Sequence, residues 1–207
     1  MAGPAGHHSA VLASLLANQL VESGYTVEDI FRGTVFDAAI LTEKAPWYPL
    51  AETVHLFERA AELTNDENIG LRIGKEQDIR RVGLICYVGL AAPTVGGFLA
   101  NFARYSRVAS PVLETDTSRL LDHGVINWEY AISPSLKRRQ YVEFSAASFL
   151  NTVRQFTDGP VSPILVQFQH HRRNQVGEFE EFFGCKVEFG AATNGFTFAE
   201  NDLDLSL

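Results

Sequence analysis

The densest group of reactive side chains is the tetrad His170-His171-Arg172-Arg173. Imidazoles ligate metals and move protons near neutral pH, and guanidinium groups grip carboxylates and phosphates, so a metal site or an anion site comes to mind. The tetrad follows a strand pattern, and neighbouring strand residues point to opposite faces, so the two histidines cannot easily chelate one ion. A solvated strand end is the simpler reading. His7-His8 falls in a loose terminus and is weak for the same purpose. Glu178, Glu180 and Glu181 resemble paired acids but lie on the polar side of a short helix, where a solvated face accounts for them. Cys86 and Cys185 stand far apart, without Cys-x-x-Cys or Cys/His spacing, which fits buried thiols in a reducing compartment rather than a disulfide or zinc site. No Gly-x-Ser-x-Gly, Walker loop or dinucleotide glycine fingerprint occurs. Gly96-Gly97 follows Thr94 inside a helical pattern and suits close helix packing better than phosphate binding. The chain therefore reads as a non-enzyme, with no catalytic set, metal or cofactor.

A different chemistry is suggested by the aromatic surplus of fifteen Phe, six Tyr and two Trp, placed on inward faces beside occasional polar groups. Ligand pockets are mostly apolar with a few orienting polar groups, although an ordinary core needs the same residues. The candidate ligand contacts are Phe102, Tyr105, Trp128, Glu129 and Tyr130. A cationic ligand would want an acid such as Glu129 at the pocket edge, and an anionic one an Arg.

These candidates must be positioned by helices and strands that the hydrophobic periodicity marks out. Residues 10–23 carry Val11, Leu12, Leu15, Leu16 and Leu20 at helical spacing and stop at Gly24. Thr26 caps a second short helix through Ile30 and Phe31, and residues 33–49, with two prolines, read as a loop. Leu50, Val54, Phe57 and Ala61 predict an amphipathic helix ending near Thr64 and Asn65. Residues 82–92 are either a buried strand or a packed helix, a choice that periodicity leaves open. Thr94 caps a core-facing helix holding Val95, Phe98, Leu99, Phe102 and Tyr105. Ile126, Trp128, Tyr130 and Ile132 alternate with Asn127 and Glu129 as a half-buried strand. Residues 136–156 predict a long helix, with Lys137, Arg138 and Arg139 at its outer start. A strand over 164–168 and a helix over 174–183 follow. The tail reads as two strands joined by a hairpin around Asn194-Gly195. Helices and strands come in blocks and no linker divides the chain, so the expectation is a single α+β domain over residues 1–207, a mostly antiparallel sheet packed with several amphipathic helices.

The 207 residues are 46% hydrophobic and 20% charged, the make-up of a globular protein with a sizeable core. A net charge of −8 opposes a sequence-independent grip on DNA, which relies on clustered Lys and Arg. With neither a signal-like start nor a membrane-length apolar run, a soluble cytoplasmic protein with no membrane partner is expected.

Several segments, in order, resemble the N-terminal effector-binding domain of one branch of AraC-type regulators, often labelled arabinose-binding-like. The resemblance runs from about Leu15 to the last residue. It rests on Asn68-Ile69-Gly70-Leu71-Arg72-Ile73-Gly74, similar to a turn after the long helix, and on Val82-Gly83-Leu84-Ile85-Cys86-Tyr87-Val88-Gly89-Leu90. Ala92-Pro93-Thr94-Val95-Gly96 and Phe102-Ala103-Arg104-Tyr105 come next. Pro163, Val166-Gln167-Phe168-Gln169-His170 and Phe183-Gly184-Cys185-Lys186-Val187-Glu188-Phe189 complete it. His171, Arg173 and Lys186 depart from it, standing where the family often has prolines. The resemblance implies a sensor that binds a small-molecule effector, pairs as a homodimer, and signals to a basic helix-turn-helix domain. Family members continue into that domain whereas this sequence stops at Leu207, so DNA contact is expected only through a C-terminal domain absent from this chain. The helix over 136–156 is a candidate pairing face if it is exposed. A free-standing enzyme or carrier and a purely structural dimerisation module are the competing readings.

Overall fold

A computed structural model of the chain describes residues 7–42, 47–77, 91–157 and 161–207. Strand β1 (His7–Ser9) leads into helix α1 (Val11–Glu22), which buries Leu12, Leu16 and Leu20 and ends before Gly24, whose φ of +93° suits glycine. In α2 (Val27–Phe31) the Thr26 hydroxyl accepts from Asp29 N at 3.1 Å and donates to the Asp29 carboxylate at 2.7 Å, a reciprocal cap. The expected loop over 33–49 contains a 3-10 turn (Ala38–Leu41) and strand β2 (Trp47–Pro49). Strand β2 pairs antiparallel with β1 and places His8 opposite Tyr48. His8 is thus buried, with its pKa lowered by loss of solvent, and the loose-terminus reading of His7-His8 is corrected by this pairing.

Helix α3 (Leu50–Thr64) buries Val54, Leu56 and Phe57 and ends at Asn65 in the left-handed conformation. Residues 69–76 form a helix, α4 (Ile69–Glu76), rather than the turn expected for 68–74. The glycines explain it. Gly70 and Gly74 lie one helical turn apart and face helix α7 (Arg139–Phe156). A Cβ at Gly74 would meet Ala147 Cβ and Phe144 O at 2.7 Å, and one at Gly70 would collide with the Gln140 backbone, so α4 nests against α7 at backbone distance. The strand-or-helix alternative for 82–92 falls almost wholly outside the described residues.

Helix α5 (Val95–Ala109) starts as expected, with Thr94 Oγ1 accepting from Gly97 N at 3.2 Å. Gly96 packs against Leu203 of the last helix, where a Cβ would meet Leu203 O at 3.2 Å. Strand β3 (Leu113–Asp116), the single turn α6 (Leu120–His123) and β4 (Val125–Tyr130) follow. Helix α7 begins at Arg139 rather than near 136, because residues 133–136 make a turn closed by Leu136 N donating to Ser133 O. It buries Tyr141, Val142, Phe144, Ala147, Leu150 and Val153 at the centre of the molecule, so it offers no exposed pairing face.

Strand β5 (Leu165–Phe168), helix α8 (Val176–Phe183), strands β6 (Lys186–Phe189) and β7 (Asn194–Thr197) and helix α9 (Glu200–Leu203) complete the chain. The main sheet runs β3-β4-β7-β5-β6 and is antiparallel except for the β5–β6 pair. The expected hairpin is therefore overturned: β6 and β7 flank β5 and do not pair. Asn194-Gly195 opens a strand instead of turning one. The Asn194 side chain accepts from Gln169 N at 3.0 Å, and a Cβ at Gly195 would run into Asn127 of β4. One sheet face packs on α5, α7 and α8 around a single core, giving an α+β fold.

Candidate functional site

The period-two alternation of β4 places Ile126, Trp128 and Tyr130 on the sheet face toward α5 and α7. With Phe102 of α5, Ser145 and Phe149 of α7, Leu113 and Thr115 of β3 and Phe196 of β7 they enclose a cavity of about 50 Å³. The rings interlock: Trp128 stacks on Phe196 at 5.2 Å between centroids, Phe196 on Phe149 at 5.8 Å, and Phe149 lies 4.7 Å from Phe102. Polar groups in the lining are few. Tyr130 Oη donates to Ser145 Oγ at 2.9 Å, Ser145 donates on to Tyr141 O at 2.7 Å, and Thr115 donates to Ala103 O at 3.2 Å. Burial pushes the Tyr130 phenol up to about 12, so at neutral pH it is an uncharged donor. The exception is Trp128, whose indole Nε1–H is buried with no acceptor. A buried donor without a partner is costly and calls for an explanation. The volume exceeds the ~10–15 Å³ that a water requires but falls short of the ~150 Å³ of a benzene-binding cavity.

Of the five residues singled out from the sequence, Phe102, Trp128 and Tyr130 meet at this cavity. Tyr105 and Glu129 do not. Tyr105 is 37% exposed, with its ring 5.4 Å from the Arg104 guanidinium. Glu129 alternates to the outer sheet face opposite Glu114, which pairs with Arg107 at 3.3 Å. Ser145 and Phe149, one turn apart on α7, and Phe196 were not singled out as lining. Helical spacing marks Phe149 as inward, but nothing local says that it meets β4 and β7.

A second, polar site lies at the start of α7. The tetrad His170-His171-Arg172-Arg173 is not a strand end exposed to solvent, since β5 stops at Phe168 and the chain then turns inward. Arg172, with 1% of its side chain exposed, grips fully buried Glu143 through Nε–Oε1 at 3.1 Å and Nη2–Oε2 at 3.0 Å. It also donates to Asn68 Oδ1 and Glu67 O, both at 2.6 Å, and its guanidinium lies 4.6 Å from the Phe179 ring centroid. His170 Nε2 lies 2.9 Å from Glu143 Oε1. His171 and Arg173 face outward, so the solvated reading is corrected for half of the tetrad. Above this network opens a cleft of about 690 Å³ between α3 and the start of α7, with His170 among its lining residues. Glu58, in its wall, caps α7 by accepting from Gln140 N at 2.8 Å. Its carboxyl is held above the usual range by burial, with the Gln140 bond and Arg139 acting in the opposite direction. Among the described residues no group of three or more His, Cys, Asp or Glu is placed to hold a metal, and no helix is long and apolar enough to cross a membrane.

Residues 24–207 match the family model of the arabinose-binding domain of AraC transcription regulator, N-terminal. The chain is 26% identical over 149 residues to the HTH-type transcriptional regulator VirS of Mycobacterium tuberculosis, in both strain CDC 1551 / Oshkosh and strain ATCC 25618 / H37Rv. That alignment covers 71% of this chain and 44% of VirS, so the chain spans less than half the length of these relatives. The fold is similar to the crystal structure of the transcriptional regulator CdpR from Pseudomonas aeruginosa, with a TM-score of 0.61 and 17% identity, over 95% of this chain and 57% of that one.

Proposed function

The chain belongs to the arabinose-binding N-terminal domains of AraC transcription regulators, and from that premise we propose that it senses a small, largely apolar effector bearing one hydrogen-bond acceptor. The observation that carries this reading is the buried, unpartnered indole N–H of Trp128, a residue that lines an aromatic cavity whose other polar groups are already bonded. A carbonyl or carboxylate oxygen would satisfy it while rings or alkyl chain fill the space between Phe102, Phe149 and Phe196. The cavity is small, so an effector enters by parting these rings, and it favours the arrangement that holds them apart. That differential affinity is what allows a ligand to shift a conformational equilibrium. Helix α5 supports a route outward. It lines the cavity through Phe102, and its first turn holds the C-terminal segment, with Val95 N donating to Leu205 O at 2.9 Å.

In the parent regulator the bound state would be read by a C-terminal DNA-binding domain, in the cytoplasm, with the sensor paired as a homodimer. Sedimentation velocity checks the pairing. The family and the curated relatives are regulators rather than enzymes, in keeping with a binding role.

Trp47 and Trp128 are the two tryptophans, so Trp47→Phe leaves Trp128 as sole reporter. Titrating that variant with aryl and alkyl carboxylates, ketones and amides should give a saturable emission change for one chemical class, with ~2.7 kcal/mol of added stability at a hundredfold the Kd. A panel that moves neither emission nor melting would overturn the reading.

A further inference from the structure

We propose that the cleft between α3 and the start of α7 is a second small-molecule site, and that its ligand is a zwitterion carrying an ammonium and a carboxylate. Its volume of about 690 Å³ lies in the range of small-molecule sites. Its walls are opposite in charge. On one side stand Glu58 and Glu62, a helical turn apart on α3, with Glu67 just beyond; on the other stand Lys137, Arg138 and Arg139 leading into α7. The positive end of the α7 dipole adds to the basic wall.

Opposite charges lining one cleft ordinarily close onto each other, but here no salt bridge joins the walls. Arg138 is spent on its own loop, donating to Tyr130 O at 3.3 Å and Ser133 O at 3.1 Å, and Glu58 is spent on Gln140 N at 2.8 Å. The side chains of Glu62, Glu67, Lys137 and Arg139 make no hydrogen bond or ion pair with any described residue. The arginine and glutamate charges nearby that are paired, Arg172 and Glu143, lie beneath, fixed by their own bidentate contact. Their bonding also sets the lining of the cleft. His170 Nε2 is held 2.9 Å from Glu143 Oε1, which fixes the ring in the lining of the cleft. An ammonium would meet Glu62 and Glu67; a carboxylate would meet Lys137 and Arg139. A ligand with a single charge would desolvate the far wall without pairing it, which is the physical basis of selection for both poles.

The test is calorimetric titration of this chain with the proteinogenic α-amino acids and with the ω-amino acids from γ-aminobutyrate to ε-aminohexanoate. Hexanoate and hexylamine are the single-pole controls, all at physiological salt. At least one zwitterion is expected to bind with a Kd of ~1 mM or tighter, about tenfold tighter than either control. Glu62→Gln and Lys137→Gln should each weaken it about tenfold while leaving the thermal unfolding curve in place, because neither side chain has a hydrogen bond or ion pair to lose. Trp128→Phe should leave it unchanged, which separates this site from the aromatic cavity. Failure of every zwitterion to bind, equal binding of a single-pole control, or survival of binding in both charge variants would overturn the proposal, as would its loss in Trp128→Phe.

Discussion

Two stretches of α7 treat polarity in opposite ways. In its first turns Gln140 and Glu143, both fully buried, are fully engaged. Gln140 accepts from Gly70 N at 2.9 Å and donates to Glu67 O at 2.8 Å, and Glu143 receives two bonds from Arg172 and one from His170. One to two turns later, Ser145 and Phe149 border a cavity also lined by Trp128, whose buried indole N–H has no acceptor. The first region ties α3, α4, α7 and the segment after β5 into one geometry. The second leaves space and an unused donor where the sheet meets α5. A molecule that must respond to a ligand needs both a frame that does not move and a neighbouring region with two arrangements close in energy.

If the first region is the frame, breaking it should produce the largest effect. Arg172→Leu leaves the Glu143 carboxylate buried without its arginine partner and with His170 alone to bond it, and a loss of about 3–5 kcal/mol is expected in urea unfolding. The double variant Arg172→Leu/Glu143→Leu should recover much of that loss, because the stranded charge is gone. Equal losses in the single and double variants would mean that packing against Phe179, not charge pairing, holds this end.

The same contrast explains what could be read from the sequence. Caps and periodicity are local, and they located α1, α2 and α3 together with their ends, and the start of α5. Alternation in β4 brought Trp128 and Tyr130 to one face, but it also assigns Glu129 to the other, a consequence that the candidate set did not respect. What local signals miss is set by partners distant in sequence. Arg172 is buried because Glu143 and Glu67 await it, across sequence separations of 29 and 105. Asn194-Gly195 has the residues of a tight turn, yet β5 claims the place between β6 and β7. The glycines of α4 look like turn residues until α7 is seen lying against them.

Alkaline pH sharpens the comparison from the other side. The Tyr130 phenol titrates at about 12 in the folded chain against 10.0 for the ordinary group, chiefly because burial disfavours the phenolate. The folded state therefore holds this proton more tightly, and the stability it contributes is full below pH ~10 and falls as pH rises toward ~12. Two pH units correspond to about 2–3 kcal/mol. Tyr141, also pushed up by burial, acts in the same direction, so Tyr130→Phe should remove part of the alkaline loss and leave the remainder. A chain whose stability between pH ~10 and ~12 is unchanged by Tyr130→Phe would show that the cavity wall is already wet.

The smallest expected change in stability belongs to Trp128→Phe, and it is the most informative about the cavity. The substitution removes ring volume, which lowers stability by enlarging the void, and it removes a buried N–H that has no acceptor, which raises it. The two terms oppose each other, so the net shift should stay within about 1 kcal/mol, well below the ~3–5 kcal/mol usual for truncating a buried Trp to Ala. An effector that uses the indole donor would separate the terms. Unliganded stability would hardly change, while affinity would fall about tenfold through the lost bond. A loss of several kcal/mol in the unliganded chain would instead mean that the N–H is satisfied in solution, by a water held in the cavity. Trp128 would then be an ordinary member of the core, and the two stretches of α7 would no longer differ in kind.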